Sequence, residues 1–115
     1  MGNNKVIGKL GEDKATEYLI SNGYTILDRN VRFSKECEVD IIASLKSCLI
    51  AVEVKTRSTE NFGTPFEAIT QKKYSNIKKG LFYYMQTHKG YKSFRIDVIG
   101  IVLKPEIKIT HLKNL

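Results

Sequence analysis

Two short acidic triplets carry the chemistry that this chain could do: Glu38-Val39-Asp40 and Glu53-Val54-Lys55. Each lies in an alternating apolar run that predicts a β-strand, and side chains on a strand return to the same face every second residue. Glu38 and Asp40 are therefore expected to share one face, and Glu53 and Lys55 one face of the next strand. If the two strands pair as a hairpin, Asp40 and Glu53 converge with Lys55 beside them. Two carboxylates offering hard oxygens, with one ammonium, can hold Mg²⁺ or Mn²⁺ and position a water beside a phosphate. That is the chemistry of a metal-dependent nuclease. Alternating charges also describe a solvated sheet face with a weak surface ion pair. Against that reading stand Ile41-Ile42-Ala43 and Leu49-Ile50-Ala51-Val52, which make both faces of the strands look buried, so that charges among them need a reason.

The elements that must position these residues can be read along the chain. Val6 to Asn22 carries Ile7, Gly11, Ala15, Tyr18 and Leu19 at helical spacing, and Asn22-Gly23 supplies a left-handed stop. Tyr24 to Phe33, Val39 to Ser44 and Cys48 to Thr56 read as strands, with Leu45-Lys46-Ser47 closing an antiparallel hairpin between the last two. Arg57 to Gly63 is polar loop. A second helix starts either at Thr64-Pro65-Phe66-Glu67, which has the form of a capping box, or at Thr70, and the pattern leaves both open. From Gln71 to about Thr87 the residues Tyr74, Ile77, Leu81, Tyr84 and Met85 form an apolar stripe, with Lys72, Lys78 and Lys79 off it on a basic face. Phe94 to Val102 and Ile107 to Leu112 complete the set. The order αβββαββ predicts an α/β domain, a central mixed β-sheet flanked by helices.

At 115 residues the chain is expected to be one domain spanning 1–115, with a real core but no room for a second. It has no apolar run long enough for a membrane span. The start, MGNNK, lacks the apolar stretch of a signal peptide, and Val6 stands where a myristoylation motif needs Ser or Thr, so a cytoplasmic protein is expected. Cys37 and Cys48 fit no zinc or redox spacing; they could face each other across the hairpin, but two free thiols are the better reading for a reducing compartment. His88 and His111, isolated among polar residues, read as surface side chains.

The charge is unevenly spread. Residues 1–54 hold seven Lys/Arg against eight Asp/Glu, whereas residues 55–95 hold nine against two. The basic excess thus lies just downstream of the acidic triplets, which suits a polyphosphate partner, since each phosphate contact releases counterions. The competing reading is simple solubility. Tyr74, Phe82, Tyr83, Tyr84, Tyr91 and Phe94 are interleaved with this basic stretch. Such rings can stack bases, although helical spacing assigns most of them to the core; Tyr83 and Tyr91 are the candidates for exposed contacts. Arg95 and Asp97 share a strand face and are expected to pair structurally.

With Asp40, Glu53 and Lys55 on adjacent strands, the chain resembles restriction-endonuclease-like nucleases with their D-(x)n-ExK signature. The segments LGEDKATEYLISNGYTILDRNVR, EVDIIA, VEVKTRSTENFGTPFEAI and RIDVIGI are similar to the YraN-like family of small endonuclease-like proteins, from Gly8 to about Val102. That family is similar in turn to archaeal Holliday junction resolvases, which carry a further glutamate on the first helix. The matching residue is Glu12, whose other reading is an acid favoured by a helix N-terminus. Where many restriction enzymes have Pro before the aspartate, this chain has Val39.

The resemblance implies that Asp40 and Glu53 ligate Mg²⁺ or Mn²⁺ with the Val54 carbonyl and with Glu12, directly or through water, and that Lys55 activates the attacking water. Arg57, Lys72 and Lys73 are expected to contact phosphates near the site, with Lys78 and Lys79 further along the helix. The partner expected is DNA, branched or structured, and a symmetric homodimer would be needed to nick two strands. Two other classes stay open: a non-catalytic nucleic-acid-binding module of the same fold, and a protein whose acidic face is an ion-paired sheet surface that meets another protein.

Overall fold

A computed structural model describes residues 3–59 and 69–115, and the side chains from residue 5 onward within these. Seven elements follow in the expected order: α1 (Asn3–Ser21), β1 (Thr25–Ser34), β2 (Cys37–Leu45), β3 (Cys48–Arg57), α2 (Gln71–Thr87), β4 (Ser93–Val102) and β5 (Lys108–Leu112). The strands form one mixed sheet in sequence order, in which β3 and β4 run parallel and the other neighbours antiparallel.

Local chemistry explains the element ends. α1 stops at Gly23, whose φ of 89° is a left-handed conformation that costs glycine nothing. Tyr24 N–H bonds Leu19 C=O and Gly23 N–H bonds Ile20 C=O, the paired bonds of a Schellman close. The β2–β3 hairpin turns on Lys46-Ser47, with Leu45 opposite Cys48 and Lys46 at a φ of 56°. Of the two starts proposed for the second helix, Thr70 is the N-cap of α2, its side chain accepting from Lys73 N–H. The Thr64–Glu67 box lies outside the described residues.

A parallel β3–β4 pair needs a crossover, and α2 supplies it. The sheet is therefore covered on both faces. On one, Ala15 and Leu19 of α1 pack with Ile41, Ala43, Ile50, Val52, Ile99 and Ile101; on the other, Ile77, Leu81 and Tyr84 of α2 pack with Val39, Ile42, Leu49, Ala51 and Ile96. This double burial is why β3 reads as an almost unbroken apolar run. Both helices approach closely through glycine. A Cβ on Gly11 would fall 1.7 Å from Thr56 Oγ1, and one on Gly80 would fall 2.1 Å from the Phe33 ring. No helix among the described residues is long and apolar enough to cross a membrane.

Both thiols are free, as expected, and they lie apart: Cys37 pairs with Ser34 and Cys48 with Leu45, at opposite ends of β2. Three side-chain expectations need correction. His111 is no surface residue; its side chain is 4% exposed, because β5 folds back beside β4 and lays it against Asp97. Tyr91 is half-buried against the α2-side core instead of exposed. The alternation that would put Glu38 and Asp40 on one face breaks at Asp40, as described next.

Candidate active site

The ladder between β2 and β3 runs from Leu45↔Cys48 to Ile41↔Val52 and goes no further. Asp40 and Glu53 are the next residue on each strand, at the point where the ladder stops. There Asp40 Oδ2 accepts the backbone N–H of Val54 at 2.8 Å, a side chain serving an amide beyond the last pair. The break has a visible cause in the packing. Val39 belongs to the α2-side core and Ile41 to the α1-side core, so β2 changes face across Asp40. β1 does the same beside it: Asn30, with a φ of 54°, separates Arg29, which reaches α1, from Val31, which packs on the α2 side. The two kinks adjoin, since Arg29 pairs with Ile41 and Val31 with Val39.

Glu53 is 5% exposed. Its Oε2 meets Lys73 Nζ of α2 at 2.7 Å, while Oε1 is buried without a hydrogen-bond partner. Burial pushes the Glu53 carboxyl above its usual range despite the lysine. Asp40 is pushed up to about 6, first by burial and then by the charge of Glu53, with the Val54 N–H opposing. Lys73 is held above the ordinary lysine value: burial alone would lower it, but the bond to Glu53 outweighs burial. Two carboxylates that each raise their proton affinity in one place form a pair short of positive charge.

A cleft of about 420 Å³ opens over this point. Glu12, Asp40, Val54, Lys55, Thr56 and Arg57 line it, together with Ile7 and Gly8. The structure thus brings Asp40, Val54, Lys55, Glu12 and Arg57 to one concavity, with Glu53 beside Asp40. Glu12 does not complete a three-carboxylate cluster, however. Its Oε1 is 3.2 Å from Arg29 Nη2, which also holds Asp13 Oδ1 at 3.0 Å. Among the described residues no group of three or more His, Cys, Asp or Glu side chains is placed to hold a metal ion. The Glu12 carboxylate acts on Asp40 as a neighbouring charge.

The basic residues separate. Lys73 is engaged by Glu53, a role different from the phosphate contact expected of it. Lys72 is exposed with only a loose 3.8 Å partner in Glu36, and Lys78 and Lys79 are exposed along α2. Glu38 is exposed and paired with Arg32, apart from the cleft.

Two features escaped the sequence reading. Arg29, which fixes Glu12, carried no signal, because its reach depends on the β1 kink. The network around Asp97 was half visible, as an acid inside the apolar run Arg95–Ile101, while its partner His111 was not.

The sequence profile of the uncharacterised protein family UPF0102 matches residues 11–101. Relatives bearing the name UPF0102 protein include one from Dictyoglomus turgidum, 41% identical over 98% of this chain and 96% of its own length. Another from Dictyoglomus thermophilum is 44% identical over 93% of this chain and 91% of its own, and one from Sulfurihydrogenibium is 46% identical over 93% and 90%.

Proposed function

We propose that this chain, which belongs to the YraN-like UPF0102 family, is a metal-dependent endonuclease that hydrolyses phosphodiester bonds in structured or branched DNA. One observation carries the reading: Glu53 Oε1 is buried and partnerless beside an Asp40 whose carboxyl is driven up to about 6. A buried anionic oxygen without a donor is costly, and a cation answers it.

The donor set fits Mg²⁺ or Mn²⁺. Such ions take one or two carboxylates and fill the remaining positions with water and substrate phosphate, so a third protein carboxylate is not required. Asp40, Glu53 and the Val54 carbonyl would hold the ion, with Glu12 acting through water. When bound, the ion would neutralise charge that builds on the phosphate oxygens in the transition state.

The chain's own residues do the rest. Lys73 keeps Glu53 ionised and turned in one direction. The Val54 N–H fixes Asp40. Lys55, in the cleft, orients the attacking water and favours its deprotonation. Arg57, on the same wall, takes a phosphate of the bound strand, and the basic face of α2 extends the grip.

A non-catalytic module of the same fold is the second reading, favoured by Lys73, which already gives Glu53 Oε2 a counter-charge at 2.7 Å. A nicking assay separates the two. Supercoiled plasmid, single strands and four-way junctions are incubated with Mg²⁺, Mn²⁺ or EDTA, comparing the natural chain with Glu53→Ala. The nuclease reading expects cutting only with metal and a loss of about 100-fold or more in the variant. Salt-sensitive binding with no cutting on any substrate would move the assignment to the binding module.

A further inference from the structure

A second concavity, of about 310 Å³, opens where the end of β1 and the start of β2 meet α2. Phe33, Cys37, Asn76, Lys79, Gly80 and Tyr83 line it. Its walls follow from the packing. Because Gly80 has no Cβ, the Phe33 ring lies against the helix where any side chain would collide with it. Tyr83, nearly one turn further along, is 64% exposed, so its ring is not spent on the core. Its neighbour Phe82 is instead engaged with Phe94, ring centres 5.4 Å apart. Two aromatic rings therefore border an opening that also offers the Asn76 amide, a donor and an acceptor, and the Lys79 ammonium.

This groove runs along α2 towards Lys73. A shallower depression lined by Glu36, Thr70, Lys72, Lys73 and Asn76 adjoins it, sharing Asn76, and Lys73 is the residue that holds Glu53. Lys73, Asn76, Gly80 and Tyr83 follow one another along one face of α2 at helical spacing. From Lys73 to Gly80 the helix rises roughly 10 Å, about three nucleotide steps along a strand.

We propose that this groove receives one unpaired nucleobase of the DNA strand whose phosphate lies at the Asp40–Glu53 site. The inference rests on the nuclease reading and narrows its substrate to DNA with an unpaired nucleotide about three steps from the phosphate that is cut. The chemistry matches a base on each side. A flat π-system stacks against the exposed Tyr83 ring beside the half-buried Phe33 ring, its polar edge meets an amide, and its flanking phosphates meet cations. Lys72 and Lys79 are exposed around it, and Lys72 can exchange its 3.8 Å contact with Glu36 for a phosphate. A base inside a duplex is stacked and cannot enter, so the groove selects nucleotides already unpaired.

The test measures binding alone, by fluorescence anisotropy of the full chain in EDTA with three DNAs of equal length. One is fully paired, one carries a single unpaired thymine, and one carries an abasic residue at that place. The unpaired thymine is expected to bind about tenfold tighter than its abasic counterpart, the scale of one base stacked on an aromatic ring. Tyr83→Ala should erase that difference and leave affinity for the paired duplex unchanged, while Tyr83→Phe should keep it. Equal affinity for thymine and abasic DNA in the natural chain would overturn the proposal, as would a preference that survives Tyr83→Ala. Cutting without base preference removes this proposal alone; base preference without cutting leaves the groove assigned and removes the nuclease reading.

Discussion

Glu53 and Asp97 are the two buried acidic residues among those described, and they sit on neighbouring strands one position out of register. Asp97 is fully satisfied. Arg95 Nε lies 3.1 Å from Oδ1, His111 Nε2 lies 2.7 Å from Oδ2, and the Asn114 N–H reaches Oδ1 at 2.9 Å. Burial would raise its carboxyl, but the bonds from His111, Asn114 and Arg95 more than offset it, and Asp97 lies below the usual carboxylate range. Glu53 is paired with Lys73, keeps one orphaned oxygen and has a raised proton affinity. Similar burial with opposite satisfaction separates a carboxylate whose bonds are complete from one left with an unfilled oxygen.

The largest effect should come from breaking the satisfied side. Asp97→Asn leaves Arg95 without its counter-charge and takes a carboxylate oxygen from His111, in a closed network that Tyr18 extends through its 3.0 Å contact with His111 Nδ1. A loss of about 3–5 kcal/mol is expected, read as a lower urea midpoint. Glu53→Gln, tested in EDTA, should change stability by less than about 1 kcal/mol, because it removes a charge that was never fully paired. If both substitutions cost the same, the distinction between the two sites collapses.

Metal should act on one side only. Mg²⁺ or Mn²⁺ at about 100 times its dissociation constant is expected to stabilise the folded chain by about 2.7 kcal/mol, seen as a raised Tm. Asp40→Asn should abolish this response, whereas His111→Gln should lower the baseline and keep it. A metal response that persists in Asp40→Asn would place the ion elsewhere.

Acidification also distinguishes the sites. Asp40 binds its proton more tightly folded (pKa about 6) than in the unfolded chain (3.8). Protonation therefore favours the folded state, and metal-free stability should rise as pH falls from about 7 to 5, by about 1.3 kcal/mol. The gain is read as the difference between the natural chain and Asp40→Asn at each pH. Asp97 runs the other way. Its depressed value gives stability that is present above the unfolded carboxyl pKa and lost as pH falls below about 4 through the folded value. Saturating Mg²⁺ should flatten the first phase and leave the second.

The contrast also marks what the chain's letters could disclose. Strand and helix order were legible because periodicity and turn residues are local: Asn22-Gly23 stops α1, and the Tyr74–Met85 stripe makes α2. Asp40, Glu53 and Lys55 were legible because acids inside apolar strands are conspicuous. What stayed hidden depends on distant geometry. Lys73 meets Glu53 only because the parallel β3–β4 crossover lays α2 over that face of the sheet. His111 is buried only because β5 returns beside β4. The kink at Asn30 and Asp40 breaks the period-two rule on which the face assignment relied, and its one local signal is Asn30, a residue type that tolerates a positive φ.

The smallest effect concerns Lys73 itself. An ammonium bonded to a carboxylate occupies the same counter-charge role that a divalent ion would take, so the two are exchangeable at Glu53. The lysine is 39% exposed, which screens the pair and limits its worth. Lys73→Gln is expected to cost about 1 kcal/mol in EDTA. With saturating Mg²⁺ the cost should shrink towards zero, since the ion then supplies the charge that Glu53 lacks. Arg95→Gln makes the opposite case: Asp97 is 0% exposed and its oxygens are already bonded, so the loss should be the same with and without metal. Equal metal rescue of both variants would mean that Mg²⁺ stabilises the fold generally, and the proposed division between a structural and a ligand-seeking carboxylate would have to be abandoned.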